Sequence, residues 1–126
     1  MNDTKNTTVN PHRNPLRVLD LALRAAGTTI ALVESVPGKF KSLQDQVVRS
    51  ASSVPANLAE GSGRAGRDRI HHYRIAYSSA KEVDVHLRIL SGAGVIDQPK
   101  TDEALELFDR VRAMTWRLIA AGIPRR

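Results

Sequence analysis

Residues 68–91 read Asp-Arg-Ile-His-His-Tyr-Arg-Ile-Ala-Tyr-Ser-Ser-Ala-Lys-Glu-Val-Asp-Val-His-Leu-Arg-Ile-Leu-Ser, and within them Tyr73, Ala76, Ala80, Val83, Leu87 and Leu90 recur at intervals of three and four. A period near 3.6 puts all six on one face of a helix, the seam of an antiparallel bundle, and leaves no room for the period of two that a half-buried strand needs. Gly92 and Gly94 close the segment. The same period returns on both sides of it. Upstream, a helix is expected from Ser42 as N-cap, with Leu43, Val47, Ala51, Val54 and Leu58 as its core stripe and Gly61-Ser62-Gly63 as its stop. Pro55 lies inside that pattern, where its missing N–H predicts a kink. Earlier still, Asn14-Pro15 opens a helix, Asn as N-cap and Pro at the first helical position. Its main stripe is Leu16, Leu19, Leu23, Ala26, Ile30 and Val33, with Val18, Ala22, Ala25 and Leu32 beside it, and Val36-Pro37-Gly38 ends it. Downstream, Thr101 opens a fourth helix with Asp102 and Glu103 suited to its N-terminal dipole. Leu107, Val111, Met114, Leu118 and Ala121 form the stripe, and Gly122 with Pro124 is the stop. The expected fold is all-α: an up-down antiparallel four-helix bundle over residues 14–122, with a disordered polar tail at 1–13 and a short basic tail at 123–126.

Bulk properties agree with one such domain. The chain has 126 residues, 41% hydrophobic and 25% charged, with only 4% aromatic, so the core is built from Leu, Val, Ile and Ala. No cysteine is present, which excludes disulfides, a thiol nucleophile and Cys-based zinc sites. No stretch approaches the 18 or so apolar residues of a membrane span, and Met1–Asn10 lacks the apolar core of a signal peptide. A cytoplasmic location and no membrane partner are the expectation. Net charge is +6, and 14 of the 19 basic residues are Arg. Such a balance attracts polyanions, and Arg grips phosphate bidentately where Lys cannot.

Two groups of polar residues stand out. On the second helix Gln46, Ser50, Ser53, Asn57, Glu60 and Arg64 recur at three and four, beside the apolar stripe, and Ser79, Glu82 and His86 answer them on the third. If the stripes meet, Asn57 and Glu60 lie near Ser79 and Glu82 within an apolar interface, where polar groups must be hydrogen-bonded. Three readings are open: a structural network setting register or an oligomer interface, a groove for an anion or partner peptide, or Glu60 and Glu82 as a metal or acid/base pair. The third lacks the Glu-x-x-His ligands of carboxylate-bridged bundle sites, since Glu82-x-x-x-His86 is the one approximation. The glycine-rich Gly61–Gly66 lacks the Lys-Ser/Thr of a phosphate-cradling loop, and no serine has a base and orienting acid at recognisable spacing. No catalytic residue, metal or cofactor is expected. The second group is basic: Arg64, Arg67, Arg69 and Arg74 against Asp68 alone, joined by Arg110, Arg112, Arg117 and the Arg125-Arg126 tail. Such arginines contact nucleic-acid phosphates without reading sequence. His71 and His72 at the start of the third helix are solvated or phosphate-contacting imidazoles.

The run Gln46–Gly61, with its Ser-Val-Pro-Ala-Asn-Leu-Ala-Glu-Gly core, together with Arg64 and Ala76–Val83, resembles the four-helix bundle proteins encoded in intervening sequences of bacterial 23S ribosomal RNA genes. The likeness covers roughly residues 15 to 121. It implies a ring-like homopentamer with a basic surface. A related branch, the accessory variability proteins of diversity-generating retroelements, binds nucleic acid and a reverse transcriptase. For most members no activity is established. Asn57, Glu60, Arg64, Ser79 and Glu82 are signature positions, read as structural or interface residues, while His71-His72-Tyr73 departs from the Phe-rich segment usual there. Two functions are expected from this: a non-enzymatic oligomer held to RNA or DNA by backbone phosphates, or an oligomeric scaffold or accessory subunit for a nucleic-acid enzyme such as a reverse transcriptase.

Overall fold

The computed structural model describes residues 14–123, so the expected tail at 1–13 and the Arg125-Arg126 end lie outside the described residues. Four helices follow one another: α1 (Pro15–Val33), α2 (Lys41–Ser62), α3 (Gly66–Gly92) and α4 (Gln98–Gly122), with a single 3-10 turn at Gly38–Phe40. There is no strand among the described residues. Each helix packs on two others: α2 on α1 and α3, α4 on α3 and α1. The diagonal pairs do not approach. The result is a four-helix bundle, with α2 and α3 its most closely packed pair.

Local chemistry sets the boundaries, and two expected starts move. Asn14 caps α1 as expected, its Oδ1 accepting from the Leu16 N–H at 3.0 Å. Helix α2 does not begin at Ser42. The 3-10 turn runs straight into it with Phe40 at the cap position, and Ser42 lies inside. Helix α4 starts three residues before Thr101, because Asp97 caps it by accepting from the Lys100 N–H at 2.9 Å and Pro99 suits the first turn. Asp102 and Glu103 therefore sit beyond the first turn. Thr101 is wholly buried, its hydroxyl donating to the Asp97 carbonyl at 2.7 Å. At the end of α3, Val95 N–H bonds to Leu90 O and Gly94 N–H to Ser91 O, a Schellman closure that needs the positive φ of Gly94 (74°). Pro55 does not interrupt α2, which stays helical to Ser62 with the ring buried.

The core takes the expected stripes of α2, α3 and α4 in nearly every position. Phe108, Leu58, Leu87, Leu90 and Ile119 are its largest fully buried side chains. Helix α1 is rotated from expectation. Val18, Leu21, Ala22, Ala25, Ala26, Leu32 and Val33 are buried, while Leu16 and Leu23, expected on the main stripe, are 71% and 55% exposed. Of the two adjacent apolar stripes, the narrower, Ala-rich one faces inward because it lets α1 lie close to both neighbours.

Helix α2 ends within the expected Gly61-Ser62-Gly63, at Ser62 with Gly63 as its C-cap, but Gly61 is still helical. It is buried within α2, and a Cβ added there would lie 2.7 Å from Tyr73 Cε1 and 3.2 Å from the Arg69 carbonyl oxygen. The ring of Tyr73, 2% exposed, occupies the space a side chain would take. On an open helix, Gly→Ala stabilises by up to about 1 kcal/mol. At Gly61 the clash reverses the sign: Gly61→Ala should destabilise by roughly 1–3 kcal/mol. At Gly27 a Cβ would meet nothing within 4 Å, so Gly27→Ala should show the ordinary gain. Urea unfolding of the two variants, followed by circular dichroism, checks the opposite signs.

Candidate nucleic-acid interface

The two polar stripes do meet, at α2 residues 50–57 against α3 residues 72–82. Ser79 Oγ donates to Ser53 Oγ at 3.0 Å, and Asn57 Nδ2 donates to Ser53 Oγ at 3.0 Å and to the Ser53 carbonyl at 2.9 Å. Asn57 Oδ1 lies 3.0 Å from His72 Nδ1. As the index rises on α2 it falls on α3, so the helices are antiparallel and this chain of hydrogen bonds reads their register. His72, expected at a solvated or phosphate-contacting position, is instead tied into the seam.

Glu60 and Glu82 are not brought together. Glu60 accepts from Arg64 Nη2 at 2.7 Å and Nε at 3.1 Å, and Arg64 Nη1 donates to Asp68 at 2.7 Å. The group bridges the α2–α3 turn. The hydrogen bond and charge of Arg64 hold the carboxyls of Glu60 and Asp68 below their ordinary range, and the two carboxylates raise the guanidinium of Arg64. Glu82 instead lines a groove of about 540 Å³ further along the helix pair, with Ser42, Asp45, Gln46, Arg49, Ser50, Ser53 and Ser79. The paired-carboxylate geometry is thus absent. No cluster of three His, Cys, Asp or Glu side chains suited to a metal occurs among the described residues. His86, on the same face of α3, has Nδ1 buried without a hydrogen-bond partner.

The arginines separate into two kinds. Arg64 is neutralised by Glu60 and Asp68. Arg69 is exposed but its Nε donates to the Gly61 carbonyl at 3.2 Å, helping to lock the α2–α3 end. Arg112 lies 2.7 Å from Asp109 and 3.6 Å from Asp84. Arg67, Arg74, Arg110 and Arg117 are exposed and form no ion pair among the described residues. Arg110 opens onto a groove between α1 and α4 that also holds Arg17 and Arg24, two residues that the sequence reading does not single out. Their signal is present in the chain: Arg17 and Arg24 are seven apart, hence on one helical face, but they belong to a helix whose apolar stripe dominates its pattern.

A helical bundle with a polar internal seam and unpaired surface arginines is the class these features define. The chain belongs to the family described as 23S rRNA-intervening sequence proteins, whose sequence profile matches residues 14–117. Among solved structures, a protein of unknown function from the S23 ribosomal protein family of Bacteroides thetaiotaomicron shares the fold. The TM-score is 0.76 at 22% identity, over 84% of this chain and 97% of that one. Comparison with curated proteins yields no match.

Two consequences can be measured. Asn57→Leu leaves His72 and Ser53 without their partner in a half-buried contact and should cost about 1–3 kcal/mol, whereas Glu60→Leu, on an exposed side chain, should cost less. Thermal melts of both variants test that order. The Glu60–Arg64–Asp68 group adds a pH dependence. Depressed folded-state carboxyls contribute stability that is complete above their ordinary range and lost as pH falls through their folded values. The small stability gap between the natural protein and Arg64→Gln should therefore be flat near neutrality and close in acid, as read from melting temperature against pH.

Proposed function

We propose that this protein is a non-enzymatic, self-associating helical bundle that holds RNA or DNA by its backbone phosphates. The observation that carries the reading is that exposed arginines, Arg67, Arg74, Arg110 and Arg117 among them, are left without carboxylate partners on a chain of net charge +6. Arg64, Arg88 and Arg112 are paired with carboxylates and Arg69 is tied to the Gly61 carbonyl, whereas these four guanidiniums present bidentate donors to solvent. Contacts of that kind fix a polyanion without reading its sequence.

Self-association is supported by the placement of exposed apolar residues. Leu16, Leu23 and Ile30 lie on the outer face of α1, and Val85 and Ile89 lie on α3, the helix diagonal to it. Two different apolar faces on opposite corners suit head-to-tail contact, which closes into a ring when the rotation permits. The resemblance to ring-forming pentamers points the same way. These faces also suit a second reading, a scaffold or accessory subunit for a nucleic-acid enzyme such as a reverse transcriptase, in which a foreign helix covers one of them.

Size-exclusion chromatography with light scattering, on protein washed in high salt and then mixed with cellular RNA in low salt, distinguishes the two. The proposal expects an oligomer that co-elutes with RNA and releases it in high salt. Four backbone contacts to single strands would weaken binding on the order of 50-fold between about 50 and 200 mM salt. Arg67→Glu with Arg74→Glu should weaken it for all sequences alike, and Leu23→Glu should reduce the oligomer mass. An oligomer free of nucleic acid in both buffers would give the function to the scaffold.

A further inference from the structure

Helices α1 and α4 pack side by side, and between them runs a groove of about 300 Å³ lined by Arg17, Asp20, Leu21, Arg24, Arg110 and Met114. Three guanidiniums face one carboxylate, and neither Arg17, Arg24 nor Arg110 lies within ion-pair distance of any acid among the described residues. Leu21 and Met114, 9% and 7% exposed, form an apolar floor. Charges beside an apolar surface interact more strongly than charges surrounded by water. Like charges gathered there repel one another, so the arrangement gains most when an anion enters.

The spread of the charges says what kind of anion. Arg17 and Arg24 are seven residues apart, about 10 Å along α1, and Arg110 is followed at the same interval by Arg117 on α4. A row of that length suits an extended polyanion, which can meet the guanidiniums in succession. All the cations in the groove are Arg, whose planar fork matches two phosphate oxygens at once. The lining holds no amide, hydroxyl or aromatic group to read a base.

We infer that the α1–α4 groove is a phosphodiester site, in which Arg17, Arg24 and Arg110 grip successive backbone phosphates of a single strand and Asp20 limits the affinity. The assignment rests on the nucleic-acid reading and locates it on a surface separate from the α2–α3 turn. Arg117 extends the track at one end.

The test measures anisotropy of a labelled 20-nucleotide oligouridylate, and of its oligothymidylate counterpart, on the full chain over a range of salt. Arg17→Gln/Arg24→Gln/Arg110→Gln should lose at least about tenfold in affinity. The slope of log K against log salt should become shallower by about 2, three contacts at roughly 0.7 each. Asp20→Asn should tighten binding, a gain that misfolding cannot produce. Arg67→Gln/Arg74→Gln serves as the comparison on the other surface. Equal loss on RNA and DNA marks a backbone site, and a loss confined to RNA marks one that also uses the ribose hydroxyl. If the groove triple variant keeps natural affinity and slope while Arg67→Gln/Arg74→Gln loses both, the groove assignment is overturned and the nucleic-acid reading stands. If the natural protein binds neither oligonucleotide, both fall, and groove-dependent binding of polyglutamate in their place would reassign the occupant to an acidic peptide.

Discussion

The tight approach of α2 to α3 is the constraint on which the rest of this molecule depends. At Gly61 the two helices come so close that the ring of Tyr73 lies where a side chain would otherwise project. Ser50, Ser53, Ala76, Ser79 and Ala80 keep the contact thin along the next turns. A thin interface brings polar groups within bonding distance, and Ser53, Asn57, His72 and Ser79 satisfy one another there. Directional bonds of this kind fix the slide of one helix along the other, which apolar packing alone does not.

That packing also decides which charges are available to a partner. With Gly61 turned inward, Arg69 reaches back to its carbonyl, and Glu60 faces outward to meet Arg64, which also reaches Asp68 across the turn. The carboxylates Glu60 and Glu82, adjacent in the sequence pattern, end in different surroundings. A pair that resembles acid/base machinery on a helical wheel is thereby dismantled by register. Unpaired arginines then remain on the α3 N-terminal turns, at Arg67 and Arg74, along the α1–α4 groove, and at Arg49 on α2.

Much of the architecture is legible in the sequence, because long helices with strict three-and-four spacing announce themselves. The buried stripe of α3 matches its sequence pattern residue for residue from Tyr73 to Leu90. Helix α1 is ambiguous for a physical reason. It carries apolar residues around most of its circumference, and the choice between Leu16–Leu23 and Val18–Ala22–Ala25 belongs to the neighbours' shape, not to hydrophobicity. Thr101 hides the true cap of α4, Asp97, by offering a second capping residue one turn later. Gly61 has the look of punctuation because glycine so often ends a helix, and only the position of Tyr73 reveals its packing role. The pairs of Arg64 with Glu60 and Asp68 and of Arg112 with Asp109 stand at three- and four-residue spacing in the chain, whereas the Arg112–Asp84 contact joins different helices and is not legible there. The α1–α4 groove needs both helices in view, although the seven-residue interval of Arg17 and Arg24 is visible in the chain itself.

The central claim is that the arginines unused by the fold, in particular those of α1 and α4, carry the contact with a nucleic-acid strand. Photocrosslinking of a 4-thiouridine oligonucleotide to the full chain, followed by mass spectrometry of the digested adducts, reads that contact most directly. The account predicts adducts concentrated on peptides from α1 around Arg17–Arg24 and from α4 around Arg110–Arg117. Adducts confined to the polar groove beside Ser50 and Glu82, or none at saturating oligonucleotide, would contradict it.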